Sequence, residues 1–473
     1  DNLSAGSDLY RSTSEATIST LQSVLGRVNY SYDSRYNASL TLRADGSSRF
    51  AKNHKWGWFP SAGFSWNIDK EKFIHFGKSV DFLQLRLSAG IVGNQEIGDY
   101  QFGANVSPTS TPFIYNGEET VAYYIVNKAN PDLKWEKTAS YNAGISSGFF
   151  KGRLNVTFDA YYKKTTDLLL QVPVEGVTGY ATSLRNIGAV TNKGVELEIG
   201  AVLLDRKNLK WNVNASIAHN KNEVTSLGNA SSIIPSVSGA TLGYISPLIV
   251  AVGEPLGTFY GYVFKGIVQS EEQAATLTPQ TINKLEPGNP YYEDVNGDGV
   301  VNTEDQTTLG NSQPKFTYGL STTLKYKNWD LFVNFAGSYG NKLYNGLATR
   351  LTKGSTYYNS LAVVADRWTP TNPSNTVQKA SNDLTVVSDS RYVEDASYLR
   401  LKNIQLGYTL PRELTRKAFI ERLRVYVAAE NLLTFTKYHG FDTEIAADQK
   451  SLGIDKGVYP QARVFTVGLN LGF

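Results

Sequence analysis

The chain lacks cysteine and methionine entirely and has only four histidines among its 473 residues. Without cysteine it can form no disulfide, no thiolate nucleophile and no cysteine-ligated metal site. The histidines, at positions 54, 75, 219 and 439, stand apart from one another and from any nucleophile motif. Neither a phosphate-binding loop nor a dinucleotide fingerprint occurs. The sequence therefore predicts a protein that is not an enzyme.

The chain also lacks a run of about 18 apolar residues, which excludes a membrane-spanning helix. Its 46 basic and 43 acidic residues are dispersed and leave a net charge of +3, so no basic stripe points to nucleic acid. No Pro/Ser-rich linker, charge block or low-complexity tract divides the sequence. We therefore expect one domain over residues 1–473.

Aromatic residues and glycine, by contrast, are abundant. The chain is 12% aromatic, with 29 tyrosines, and has 41 glycines, a composition typical of many strands joined by tight turns. Apolar and polar residues alternate along residues 36–45, and the pattern recurs at 153–163, 193–203 and 462–473. A period of two gives each strand one apolar and one polar face.

This alternation predicts an all-β chain of about thirteen antiparallel strands long enough to cross a bilayer. The predicted strands lie at residues 21–32, 36–45, 59–68, 82–92, 135–147, 153–163, 193–203, 209–221, 314–326, 328–338, 397–410, 422–433 and 462–473. The segment Gly257–Gln269 also has strand character, but a spanning strand there would put a long connection at the end of the barrel that otherwise carries short turns. We therefore place this segment in a loop beyond the end of the barrel that carries the long connections.

The connections favour a transmembrane β-barrel over a soluble sandwich, whose strands would alternate in the same way. Short turns at residues 33–35, 150–152, 205–208 and 326–328 alternate with long segments at 46–58, 93–134, 164–192, 222–313, 339–396 and 434–461. Short turns on one rim and long loops on the other are the layout of outer-membrane barrels. Aromatic residues flank the short turns, as an interfacial girdle requires: Tyr32, Tyr36, Phe149, Phe150, Trp211, Tyr326 and Trp329.

The odd number of strands carries a further expectation. If the last strand ends at the short-turn rim, the first begins at the long-loop rim, whereas a complete barrel chain begins on the periplasmic side. The pattern therefore predicts that earlier strands precede Asp1 in the whole protein, because an open sheet edge is not tolerated in lipid.

Six segments resemble signatures of the SusC/RagA-type branch of TonB-dependent outer-membrane transporters. They occur in family order and with family-like spacing: residues 45–50 (DGSSRF), 93–98 (GNQEIG), 130–136 (NPDLKWE), 162–168 (YKKTTDL), 192–196 (NKGVE) and 394–401 (EDASYLRL). Each match is weak alone, and together they are specific.

The resemblance implies that these strands are the carboxyl-terminal thirteen of a 22-stranded barrel in the outer membrane of a Gram-negative bacterium. It further implies import of oligosaccharides or peptides, a SusD-like surface lipoprotein as partner, and TonB as energy source. The plug, the TonB-contacting segment and the early strands are not in this chain, so energy coupling rests on the resemblance alone. A passive porin or a surface adhesin is the second possible function, and a soluble carbohydrate-binding protein is the third.

One segment has the spacing of a calcium loop. Oxygen donors occur at positions 1, 3, 5, 9 and 12, with a glycine at position 6 and a backbone carbonyl at position 7: Asp294, Asn296, Asp298, Asn302, Asp305, Gly299 and Val300. The alternative is an Asp/Asn/Gly-rich turn that caps itself with side-chain to backbone bonds. We expect a structural Ca²⁺ in a long extracellular loop.

Aromatic residues in the long segments are candidates for substrate contact, because flat rings suit sugar and peptide faces. The alternative role is packing of the loops against each other or a partner. The candidates are Trp56, Trp58, Tyr100, Tyr123, Tyr124, Tyr260, Tyr291 and Tyr357.

Overall fold

The computed structural model describes residues 16–473 except 75, 78, 109–112, 121, 126, 175, 176, 178, 181, 236, 238–244, 355–358, 417, 418 and 446–450. Tyr357 therefore lies outside the described residues. Within the described part, every helix is too short or too polar to cross a bilayer.

The fold is built on one antiparallel sheet of thirteen strands, each paired with its sequence neighbour among the long strands. The strands are β1 (Leu21–Tyr32), β2 (Tyr36–Ser47), β3 (Trp56–Asn67), β4 (Val80–Asn94), β5 (Glu136–Phe149), β6 (Leu154–Thr166), β7 (Ala189–Arg206), β8 (Leu209–Ser226), β9 (Phe316–Tyr326), β10 (Trp329–Tyr339), β11 (Tyr398–Thr409), β12 (Arg422–Thr436) and β13 (Val464–Gly472). All thirteen predicted strands are confirmed.

One strand boundary differs in a way that matters. The strand predicted at 59–68 begins at Trp56, and its register places Trp58 opposite Ala44 and Ala62 opposite Leu40. Trp56 and Trp58 therefore continue the strand alternation instead of belonging to a loop. The pairing of β2 with β3 extends to this point because Gly46 and Trp56 still face each other.

The apolar face of the sheet is exposed. Leu40 is 61% exposed, and Phe465 and Val467 on the last strand are 72% and 77% exposed. Within the described residues, no second layer of protein covers these side chains, as a soluble sandwich would require. This exposure favours lipid as the surroundings of that face, which we call the outer face.

The two kinds of connection alternate as predicted. The short-turn rim carries residues 33–35, 150–153, 207–208 and 327–328, together with the longer connectors 68–79 and 410–421. Asp33, Ser34, Phe150, Lys151 and Lys327 have φ between 50° and 60°, a conformation that suits tight turns between twisted strands. The aromatic girdle is present at this rim, where the Tyr32 and Tyr36 rings stack at 6.5 Å.

The long connections fold together beyond the opposite rim. Phe259, Tyr344, Tyr392 and Ile454, from three different connections, pack into one buried cluster. The segment Gly257–Gln269 forms the strands Thr258–Gly261 and Phe264–Ile267, which pair with other loop strands and not with the main sheet. Its placement outside the spanning sheet is thereby confirmed.

On the polar face of the sheet, long side chains bridge alternate strands over glycine. Arg86 on β4 donates to Asp159 on β6 at 2.8 Å, and a Cβ on the intervening Gly144 would lie 2.1 Å from that carboxylate. In the same way Tyr161 on β6 donates to Asn220 on β8 at 3.1 Å across Gly194 of β7. Glycine at positions 144 and 194 leaves room for these side chains to pass over the intervening strand.

Candidate functional site

Three of the six signature segments meet in one apolar cluster at the long-loop rim, which we call the rim cluster. Phe50 and Leu133 are fully buried in it, and Trp135 lies against both Phe50 and Phe59 with ring centroids 5.4 Å apart. Its members are Phe50, Phe59, Ile97, Leu133 and Trp135. The cluster joins the β2–β3, β4–β5 and neighbouring connections.

Polar bonds complete the rim cluster. Arg49 pairs with Asp99 at 2.9 Å, and the Trp135 indole donates to the Lys55 carbonyl at 2.9 Å. Asn130 donates to the carbonyl of Leu184 at 2.9 Å, which ties in the β6–β7 connection. Through these bonds the rim cluster holds together the connections that meet at this rim.

A buried charge cluster, called the latch below, connects β11 to the last long connection. Arg400, only 3% exposed, forms ion pairs with Asp442 and Glu444, and its Nε donates to Thr434 at 2.9 Å. Asp442 also accepts the backbone amide of Gln461 at 2.9 Å. A buried guanidinium needs such partners, since an unpaired buried charge is strongly unfavourable.

The signature at residues 394–401 contributes the arginine of the latch, but its partners were not anticipated. Asp442 and Glu444 follow the end of β12 by several residues, and nothing in their local sequence marks the contact. The available signal was weak: two acidic residues two positions apart in a long connection that has to return to the rim.

The polar face of the sheet carries a hollow of about 450 Å³ between β6 and β11. Small side chains line its floor, and three carboxylates border it: Asp159, Glu196 and Glu198. Asp159 is paired with Arg86, while Glu196 and Glu198 are exposed. This wall is hydrophilic and suits contact with water, polar solutes or cationic groups.

The predicted calcium loop is well ordered by its own side chains. Asp294 accepts the amides of Gly297 and Gly299 at 2.7 and 2.9 Å, and Asp298 accepts that of Val300 at 2.9 Å. Asp305 is fully buried and accepts the amides of Val295 and Asn302 at 2.8 and 2.7 Å.

The bonding within this loop also affects how readily it could receive a metal. Burial alone would raise the pKa of the Asp305 carboxyl, but the backbone amides that it accepts hold that pKa below its ordinary value. Among the described residues, no group of three or more His, Asp or Glu side chains converges on a metal position. The self-capping arrangement is thus present in this loop.

The structure does not bring the candidate aromatic residues together. Trp56 and Trp58 lie on the outer face with Leu40 and Leu42, at the long-loop rim, where they suit the aromatic girdle of that second interface. An unbroken alternation through Trp56, Trp58, Pro60 and Ala62 was the signal for this placement.

The candidate tyrosines within the described residues fall into two of the long connections. Tyr123 and Tyr124 are 70% and 53% exposed in the β4–β5 connection, where Tyr100 hydrogen-bonds the backbone of Ile18. Tyr260 and Tyr291 are half-buried in the β8–β9 connection.

Comparison with known proteins decides the family. Residues 1–432 match the family described as TonB dependent receptor-like, beta-barrel. The chain belongs to this family. Members of the TonB-dependent receptor family are transporters rather than enzymes, and they reside in the outer membrane of Gram-negative bacteria. The chain is accordingly an outer-membrane β-barrel chain, as its strand pattern and the resemblance predicted.

The relatives of this chain that carry names are also TonB-dependent receptors. It is 35% identical to TonB-dependent receptor P3 of Formosa agariphila, over 100% of this chain and 47% of that protein. It is 31% identical to TonB-dependent receptor SusC of Bacteroides thetaiotaomicron, over 98% of this chain and 45% of that protein. The chain thus spans about half the length of the curated relatives that it matches.

A solved structure of the RagAB peptide transporter has the same fold. Its TM-score with this chain is 0.79 at 27% identity, over 99% of this chain and 49% of that one. The predicted resemblance to SusC/RagA-type receptors is therefore confirmed. The partial coverage of the relatives is consistent with a thirteen-stranded part of a larger barrel.

Proposed function

We propose that this chain is the carboxyl-terminal barrel part of an outer-membrane importer of the SusC type. The importer would take up oligosaccharides or peptides together with a SusD-like surface lipoprotein and would draw energy from TonB through a plug in the remaining part of the protein. The observation that carries the proposal is the similarity along nearly the whole chain both to a receptor named SusC and to the RagAB peptide transporter.

The geometry supports a conduit. The polar face of the sheet is lined by bonded charges and small residues around an acidic hollow, whereas the opposite face is apolar and exposed. A barrel closed from such strands encloses a hydrophilic lumen through which a polar solute can pass. The long connections pack into a shared core at the rim, a suitable platform for a surface partner.

The proposal is tested by purifying the tagged full-length protein from native outer membranes. We expect a surface lipoprotein to copurify, and mass spectrometry to identify a bound oligosaccharide or peptide. A strain that lacks the gene should then fail to take up that ligand, and so should a strain without TonB. Absence of both the lipoprotein and the ligand would count against the SusC-type assignment.

The alternative is a passive porin or a surface adhesin. A porin predicts uptake that persists without TonB, because diffusion through an open barrel needs no energy source. An adhesin predicts ligand binding at the loops without ligand entering the cell. The TonB-deficient strain and the uptake assay therefore separate all three functions.

Substrate contact would involve the aromatic residues that remain accessible in the long connections. Tyr100, Tyr123 and Tyr124 lie in one connection, and Tyr260 and Tyr291 in another. Each ring offers a flat apolar face beside hydrogen-bonding groups, which suits sugars and peptides equally.

The Asp294–Asp305 loop would hold a structural Ca²⁺ in this importer. Support comes from the donor spacing and from Val301, which is buried against Tyr262 and Tyr292 and fixes the loop to its core. Limited proteolysis of the full-length protein with calcium or chelator tests it. Calcium should protect the loop, Asp298→Ala should remove that protection, and Asp383→Ala in another exposed loop should keep it. Equal cleavage with and without chelator would contradict Ca²⁺ binding and would indicate that the loop is only a self-capping turn.

A further inference from the structure

The connector between β3 and β4 folds back onto the outer face of the barrel at the short-turn rim. Glu71 in this connector accepts a hydrogen bond from the Tyr36 hydroxyl and one from the Trp66 indole at 2.9 Å. Tyr36 and Trp66 face each other on the same side of β2 and β3 as Leu40. The connector therefore lies against the lipid-facing girdle and not beneath the lumen.

A buried carboxylate fixes the connector there. Glu71 is 5% exposed, and the Arg35 guanidinium pairs with it at 3.1 Å. The hydrogen bond from Tyr36 is the main reason why the pKa of the Glu71 carboxyl is lowered, against the effect of burial. A charged group at this position would be costly without these partners. The contact is specific enough to hold the rest of the connector in place.

Beyond Glu71 the connector exposes apolar rings instead of burying them. Phe73 is 72% exposed, and Phe150 on the adjacent β5–β6 turn is 55% exposed. That turn is bonded to the connector, since the Phe150 amide donates to the Ser79 carbonyl at 2.9 Å. Exposed lysines lie next to these phenylalanines in the sequence. The set, called the anchor patch, consists of Lys70, Lys72, Phe73, Phe76, Phe150 and Lys151.

Phenylalanine rings flanked by lysines, at the level of an aromatic girdle, are the chemistry of a membrane interface. The rings enter the boundary between headgroups and acyl chains, and the ammonium groups reach the phosphates. We infer that the anchor patch binds phospholipids of the periplasmic leaflet through their phosphate headgroups and upper acyl chains. Lipid is the occupant because the patch continues the exposed outer face at its short-turn edge. The inference needs only outer-membrane residence and does not depend on the substrate.

The absence of cysteine from the chain makes a direct test available. A nitroxide on F73C in the full-length protein, reconstituted in phospholipid bilayers, reports its surroundings by collision with oxygen or with a water-soluble nickel complex. We expect the ratio of oxygen to nickel accessibility at this position to be severalfold higher than at K207C in the β7–β8 turn. A label as open to nickel as the K207C label would overturn the inference. A label closed to both reagents would also overturn it, because it would indicate a protein contact.

Two further arms test the mechanism. Glu71→Ala in the F73C background should release the connector and lower the accessibility ratio toward the K207C value, with barrel assembly checked by heat-modifiable migration in electrophoresis. If the ratio does not change in an assembled barrel, Glu71 does not position the patch.

Adding phosphatidylglycerol to phosphatidylcholine bilayers should immobilise the label further, and Lys72→Glu should reduce that effect. If the mobility of the label does not respond to anionic lipid, the inferred contact between the patch and lipid phosphates is wrong. None of these readouts involves uptake, so their failure leaves the transport proposal untouched.

Discussion

Arg424 on β12 reaches across Gly407 of β11 to pair with Asp330 on β10. Its Nε donates to Asp330 Oδ1 at 2.9 Å, and a Cβ at position 407 would lie 2.4 Å from the guanidinium. The pair sits on the polar face near the short-turn rim and spans three strands. Arg86 and Asp159 form the same arrangement over Gly144. On the polar face of the sheet, glycine thus occurs where a charged side chain crosses the neighbouring strand.

Replacing Gly407 with valine should destabilise the barrel. The new side chain would displace the Arg424 guanidinium and leave Asp330 without its partner, at a cost of about 2 kcal/mol for a charged hydrogen bond. Denaturant unfolding of the full-length protein, followed by heat-modifiable migration, measures the change. Gly26→Val is the matched control, because a Cβ at Gly26, opposite Leu42 on the outer face, would meet nothing within 4 Å among the described residues. Equal midpoints for the two variants would refute the spatial argument.

The latch should open in acid. Burial alone would raise the pKa of Asp442, but the Arg400 guanidinium and the amides of Gln461 and Glu444 hold it below its ordinary value. A lowered folded-state pKa means that the stabilisation is present above the unfolded value of about 3.9 and is lost as the pH falls through the folded value.

Hydrogen exchange at the Gln461 amide, which donates to Asp442, measures this loss directly. We expect protection at neutral pH and increasing relative exchange below about pH 4, after correction for intrinsic rates. The Gln313 amide, bonded to the neutral side chain of Asn311 at 3.0 Å, is the control and should show no such loss. Asp442→Asn should flatten the profile. Parallel profiles at Gln461 and Gln313 would show that Asp442 does not govern the contact.

Removing the central ring of the rim cluster should loosen several loops at once. Trp135→Ala empties a site between Phe50 and Phe59 and should cost about 3 kcal/mol. Protease cleavage should increase both in the β2–β3 and in the β4–β5 connection, since both contribute to the cluster. Trp56→Ala, at a ring 49% exposed on the outer face, should not change cleavage. Cleavage confined to one connection would mean that the cluster does not couple them.

Under the importer proposal, the exposed tyrosines of the β4–β5 connection should contribute to substrate affinity. Replacing Tyr123 and Tyr124 together by alanine removes two accessible rings, and about 1 kcal/mol of lost contact corresponds to roughly fivefold weaker apparent affinity. Uptake measured against substrate concentration tests it, with Tyr326→Ala at the opposite rim as control. An unchanged concentration dependence would assign these rings to loop packing or partner contact.

Much of the fold followed from the sequence because strand alternation is a local property. The faces of residues 36–45 and 462–473 could be assigned without knowing what surrounds them, and Gly257–Gln269 could be placed outside the sheet by counting connections. The loop placement predicted for Trp56 and Trp58 is wrong for a local reason as well. Their alternation with Pro60 and Ala62 continues strand β3, which pairs with β2 up to Gly46.

Because a period of two and a turn are encoded within about ten residues, the strands, their apolar and polar faces and the alternation of short and long connections can be read from local sequence. The contacts of Arg400 with Asp442, of Trp135 with Phe50 and of Glu71 with Tyr36 are visible only in the folded chain. Each of these contacts joins segments separated by long stretches of chain. Local sequence patterns do not predict such contacts, because the contacts depend on how the connections pack once the sheet has formed.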